Sequence, residues 1–220
     1  MAQQTGHGDQ HRPDRLVALS DGVFAIAMTL LVLDISVPQG LDSAAYGEEL
    51  GDLPPKLYAY ALSFLIIGIF WLDHGRVLRG LRSVDRPLVA VTLLGLGLVA
   101  LLPFPTSLIS EYADEPASVA FYAANIAAMD LTQIGILVVR ARRPWLNADP
   151  MPPALVGATV ADLAASVVVF AASIPLAWFW GANAMLAWLL LVPLKTMTGR
   201  RRSAAVREAE ADAADPAEPR

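Results

Sequence analysis

RLVALSDGVFAIAMTLLVLDISVP, residues 15–38, is the stretch on which the reading of the whole chain turns. About 20 apolar residues at 1.5 Å each cross a hydrocarbon core of roughly 30 Å as a helix, and this stretch is long enough to do so. It is not uniformly apolar. Arg15, Ser20 and Asp21 fall in its first turns, and an ionisable group inside a membrane helix costs about 2.5–3.5 kcal/mol on insertion scales unless it is paired or hydrated. Asp21 is therefore a candidate functional residue. Helical spacing separates two stripes: Ala18, Gly22, Ala25 and Thr29 carry small side chains on one face, and Ile26, Leu30 and Leu33 carry large ones on the adjacent face. Small faces let helices approach closely, which aims the large stripe in a defined direction.

Outward from this stretch the chain continues in the same style. Of its 220 residues 55% are hydrophobic, which points to an all-α integral membrane protein. Six spans are expected, at about 14–37, 54–74, 87–109, 117–139, 153–173 and 178–198. A polar segment, 1–13, precedes them and lacks the apolar core and cleavage site of a signal peptide, so the first span is read as uncleaved. The last segment, 199–220, is charged, rich in Ala and Pro, without an apolar face, and is expected to be disordered.

The basic residues give an independent reading. Arg12 and Arg15 precede the first span, Arg76, Arg79, Arg82 and Arg86 separate the second from the third, Arg140, Arg142 and Arg143 follow the fourth, and Lys195, Arg200, Arg201, Arg202 and Arg207 end the sixth. The other connections carry only Lys56. That alternation predicts a multi-pass protein of the cell membrane with both termini cytoplasmic. Asp42, Glu48, Glu49, Asp52, Glu111, Asp114 and Glu115 mark the outer side. They are either solvated loop residues or a rim that concentrates cations at a pore mouth.

Enzyme chemistry finds no foothold. Cysteine is absent, His7, His11 and His74 lack metal-ligand spacing, and no G-x-S-x-G, Walker or H-E-x-x-H pattern occurs. No catalytic residue, metal, cofactor or nucleic-acid partner is expected. The polar cluster is more informative. The first span runs outward and the second inward, so Asp21 shares a depth with Trp71 and His74 and is expected to accept hydrogen bonds from the indole N–H and a His74 ring N–H. Such a network either staples the assembly or gates it, with His74 as a proton sensor. Asp130 and Asp162 lie near mid-span in the fourth and fifth segments, where they pair with neighbours such as Gln133, Asn125 or Thr159 or stay protonated.

Arg15, Ser20 and Asp21 also sit as in the R-x-x-x-F-S-D motif that opens the first helix of the transmembrane protein 175 family, lysosomal and bacterial potassium channels, with Leu19 in place of the usual Phe. YALSFLIIGIFWLDH, residues 60–74, resembles the family's second helix, and LPFPTSLISEY, residues 102–112, is similar to the end of the third. The resemblance implies a homotetramer in the lipid bilayer whose first helices line a central potassium pore. It places the narrowest constriction at Ile26, five positions after Asp21, with further apolar rings at Leu30 and Leu33, and a hydroxyl layer linked to potassium preference at Thr29. The motif residues Arg15, Ser20, Asp21, Trp71 and His74 would hold the pore helix rather than touch ions. An apolar ring closes a pore by dewetting. Gly95 and Gly97 are not a TVGYG filter and read as close helix packing, so modest selectivity is expected. Two alternatives stand beside the channel: a proton-coupled transporter using Asp21, Asp130 and Asp162, and a non-conducting scaffold.

Overall fold

The computed structural model describes residues 13–51, 53–149 and 152–191. The expected tails, Asp52, Arg12, Lys195 and the basic run 200–202 lie outside the described residues. The described residues are mostly helical, with no strand among them and a single antiparallel bridge from Leu81 to Asn147.

Helix α1 runs Pro13–Leu30 and tightens into a 3-10 turn over Leu31–Asp34. It ends before the expected residue 37 because Pro38 disfavours a helical conformation at Val37, and Ile35 already leaves the helix at φ −92°, ψ 88°. The outer connection contains a short helix, α2 (Ser43–Gly51), where a loop was expected. Asp42 starts it: its Oδ1 accepts from the backbone N–H of Ala44 and Ala45 at 3.1 and 2.9 Å, the geometry of an N-cap.

Helix α3 spans Leu53–Leu78, one turn further than the expected residue 74. The third expected span is two helices, α4 (Arg86–Leu101) and α5 (Pro103–Glu111), because Pro103 has no N–H to continue the ladder. Asp85 caps α4 through Leu88 N–H at 3.0 Å. Helix α6 (Pro116–Arg142) is the central pillar: 61% of its apolar stretch is buried against 22–28% in the other candidate spans.

Five runs among the described residues, rather than the expected six, are long and apolar enough to cross a membrane. The last of them takes in both α7 (Pro153–Trp180) and a 3-10 segment, Gly181–Leu190. Gly181 breaks this run at φ +54°, a conformation L side chains avoid. Beyond it the chain doubles back, since Trp188 Nε1 donates to Ser173 Oγ at 3.1 Å. Fifteen residues of straight helix would hold those side chains about 22 Å apart. The sixth expected span, 178–198, thus begins in the last turn of α7, takes in this returning segment and passes beyond the described residues.

The buried apolar residues fall into two groups. One contains Phe24, Leu31, Ile67, Phe70, Leu96, Ile126, Met129, Val169 and Trp188. The other contains Leu16, Val77, Leu78, Leu88, Ile136, Leu137 and Leu163. In chain order a buried polar residue lies between the two groups on each of five helices: Ser20, His74, Thr92, Gln133 and Ser166. Gly95 lets α4 and α6 touch, because a Cβ there would lie 2.7 Å from Thr132 Oγ1, whereas one on Gly97 would meet nothing within 4 Å. Close packing thus accounts for Gly95 and not for Gly97.

Candidate functional site

Helix α1 has two unlike sides. Leu16, Ser20, Phe24, Ala27 and Leu31 recur at helical spacing and are buried against the neighbouring helices. The opposite side is left open within the subunit. Ile26 is 60% exposed and Leu33 71%, with Leu19 and Leu30 also exposed. Thr29 lies on this open side and donates its hydroxyl hydrogen to Ile26 O at 2.8 Å. The hydrogen is used within the helix, so the Thr29 oxygen presents lone pairs outward, as an acceptor suited to a cation.

The polar cluster divides between these two sides. On the open side Trp71 Nε1 donates to Asp21 Oδ1 at 2.7 Å. On the buried side His74 Nε2 meets Ser20 Oγ at 3.1 Å and His74 Nδ1 meets Gln133 Oε1 at 3.1 Å. The His74 bond expected to Asp21 goes to Ser20 instead. Successive residues on a helix point about 100° apart, so Ser20 and Asp21 face different surroundings. Trp71 and His74, three residues apart on α3, are close neighbours on the helix surface, and the edge of the buried face falls between them: Trp71 is exposed and His74 buried. Arg15 is exposed and makes no hydrogen bond or ion pair among the described residues.

The proton arithmetic at His74 is restrictive. Gln133 Oε1 only accepts, so Nδ1 carries a hydrogen. Ser20 has one hydroxyl hydrogen and two acceptors within reach, Leu16 O at 2.8 Å and, when His74 is neutral, Nε2. In the neutral state Ser20 donates to His74. In the cationic state Nε2–H donates to Ser20, which turns to Leu16 O. The ring also lies against Phe24, with centroids 5.4 Å apart. The sequence offers Gln133 as one of several candidate partners for the mid-span acids Asp130 and Asp162, and does not reveal its bond to His74. The available signal was its register on α6, four residues after Met129 and three before Ile136, both buried.

The mid-span acids do not share one place. Asp130 is buried and, with Asp73 and Ser166, lines an otherwise apolar cavity of about 370 Å³ between α3, α6 and α7. Asp162 is half-buried on α7 and is not among the residues lining it, and Asp21 sits with Trp71 on the open side of α1. At the C-terminal end of α6 Arg140, read from sequence as a topology marker, is buried: its Nε donates to Asn147 Oδ1 at 2.8 Å and its Nη1 to Val77 O, which ties α6 to the end of α3. No group of His, Cys, Asp and Glu fit to hold a metal occurs among the described residues.

The chain is similar to known proteins in both sequence and fold. The sequence profile of the endosomal/lysosomal potassium channel TMEM175 matches residues 15–103. A potassium channel of Streptomyces collinus is 46% identical over 101 residues, 46% of this chain and about half of that protein, 49%. A potassium channel of Chamaesiphon minutus is 36% identical over 143 residues, 64% of this chain and 70% of that protein. The crystal structure of a lysosomal potassium-selective channel TMEM175 homolog from Chamaesiphon minutus superposes with a TM-score of 0.72 at 26% identity, covering 84% of this chain and 97% of that one. On this overlap in sequence and fold, the chain belongs to the TMEM175 family.

Proposed function

We propose that the protein is a potassium-conducting channel of modest selectivity, formed by four six-span subunits in the cell membrane with both termini cytoplasmic. The observation that carries this reading is the open apolar side of α1, where Ile26 and Leu33 are exposed while the opposite side is packed into the subunit. Four such sides facing one axis enclose a conduit, with Ile26 as the narrowest ring, Leu30 and Leu33 as further apolar rings and Thr29 oxygens between them. Such a ring blocks ions when narrow because water leaves it, and conducts when it widens enough to admit a hydrated ion. Arg15, Ser20, Asp21, Trp71 and His74 act on the pore indirectly, by fixing the orientation of α1. The relatives named as potassium channels support the choice of ion.

Purified protein in liposomes tests the class. A channel passes potassium down its own gradient with no proton gradient applied. Strict coupling to protons would establish the transporter reading through Asp21, Asp130 and Asp162, and absence of flux would leave the scaffold. Selectivity has its own test. Thr29→Ala removes the outward oxygen, and the preference for potassium over sodium should fall by a few-fold, about 1 kcal/mol or less for one lost polar ligand per subunit. An unaltered reversal potential in mixed ions would remove Thr29 from the ion path.

A further inference from the structure

The outer end of α1 carries a charge that the pore rings do not use. Asp34 closes the 3-10 turn and directly follows Leu33. With three residues per turn it stands above Leu31, on the side that meets the rest of the subunit, while Leu33 points outward. The carboxylate is half-buried, and Ser110 Oγ of α5 donates to its Oδ2 at 2.8 Å. Ser110 also lies 2.9 Å from Ser107 O, but a carboxylate is the stronger acceptor. Among the described residues no basic side chain pairs with Asp34. Lys56, the basic residue of the outer connections, is engaged with Glu49 at 3.5 Å.

We propose that Asp34 sets the electrostatic potential of the outer pore mouth and concentrates permeant cations in front of the Leu33 ring, with Ser110 as its positioning residue. The proposal rests on the α1-lined pore. It differs from an ion-coordinating site because the carboxylate stands behind the ring and acts through space. A hydrogen bond to an uncharged hydroxyl fixes the carboxylate's position while leaving its charge whole, which an arginine partner would not. Four such charges around one axis attract cations strongly when the Debye length is about 30 Å, near 0.01 M salt, and hardly at all when it is about 3 Å, near 1 M.

Unitary potassium conductance in planar bilayers, at roughly 0.01 M and roughly 1 M salt, is the test. Asp34→Asn should lower conductance about threefold or more at low salt and leave it unchanged at high salt, while Asp34→Glu should conduct like the parent. Equal conductance at low salt, or the same loss at both concentrations, overturns the proposal, the second because a merely structural defect ignores screening. The chain has no cysteine, so Asp34→Cys offers a second route within an assembled channel. Reaction with a sulfonate-bearing thiosulfonate should restore low-salt conductance, and a neutral reagent of similar size should not; restoration by both would sink the idea. A parent protein with no conductance defeats the pore itself, whereas a conducting parent indifferent to Asp34→Asn defeats only this inference.

Discussion

Ile26→Asn is expected to raise potassium flux through the protein at least tenfold in liposomes. An apolar ring favours an empty passage over a hydrated one. Each exposed methylene contributes about 0.8 kcal/mol of preference for leaving water, and four Ile side chains facing one narrow passage multiply that preference until the passage empties. Four Asn amides offer hydrogen bonds instead, so water re-enters and the ion keeps part of its hydration. A reduction of only 1.4 kcal/mol in the barrier is a factor of ten in rate. Ile26 is 60% exposed in the subunit and packs against no core group there. The substitution should therefore leave the thermal midpoint and the oligomer unchanged while flux rises. Flux equal to the parent, in protein of unchanged oligomeric state, would remove Ile26 from the constriction.

The second large effect is on stability. His74→Ala removes the donor to Gln133 Oε1 and the partner of Ser20 Oγ, both on side chains that are themselves buried. Leaving a buried polar group unsatisfied costs about 1–3 kcal/mol, and the ring's volume becomes a cavity beside Phe24, which adds to the loss. The expected total is about 3–5 kcal/mol, read as a markedly lower thermal midpoint in detergent. Trp71→Phe breaks the bond to Asp21 on the open side, where both groups are exposed, and should cost less than a third as much in the isolated subunit. If the two variants melt alike, the buried layer is not what binds α1 to α3 and α6. Proton dependence follows from the same geometry. Flux that responds to pH in the parent and loses the response in His74→Gln would identify the Ser20 hydroxyl exchange as the sensor, and an unchanged response would exclude it.

The helical class and the antiparallel neighbourhood of Asp21 and Trp71 were legible because hydropathy and the motif residues act locally and the membrane leaves the backbone few choices. The break at Pro103 splits a run that the sequence reads as one span over 87–109, because hydropathy does not register the missing N–H of a proline. Other features depended on rotation about helix axes, which composition does not reveal. Ser20 and Asp21 are neighbours in the chain, yet α1 packs so that one is buried and the other open. Gln133 was visible as a polar residue near Asp130, but only the approach of α6 to α3 gives it to His74. Arg140 reads from the sequence as a charge at a helix end and yet packs inside, because the Asn147 loop and the Val77 carbonyl form a polar niche around it.

Sequence alone therefore determined that this chain is a bundle of membrane helices and which residues of its first helix are polar, small or large, because those properties follow from side-chain chemistry and a 3.6-residue period. Tertiary structure alone decided which side of α1 the subunit keeps, where His74 sends its two nitrogens, and how Gly181 turns the last apolar run back on itself. Those outcomes depend on contacts between residues fifty or more positions apart, or on one backbone angle that glycine permits without prescribing.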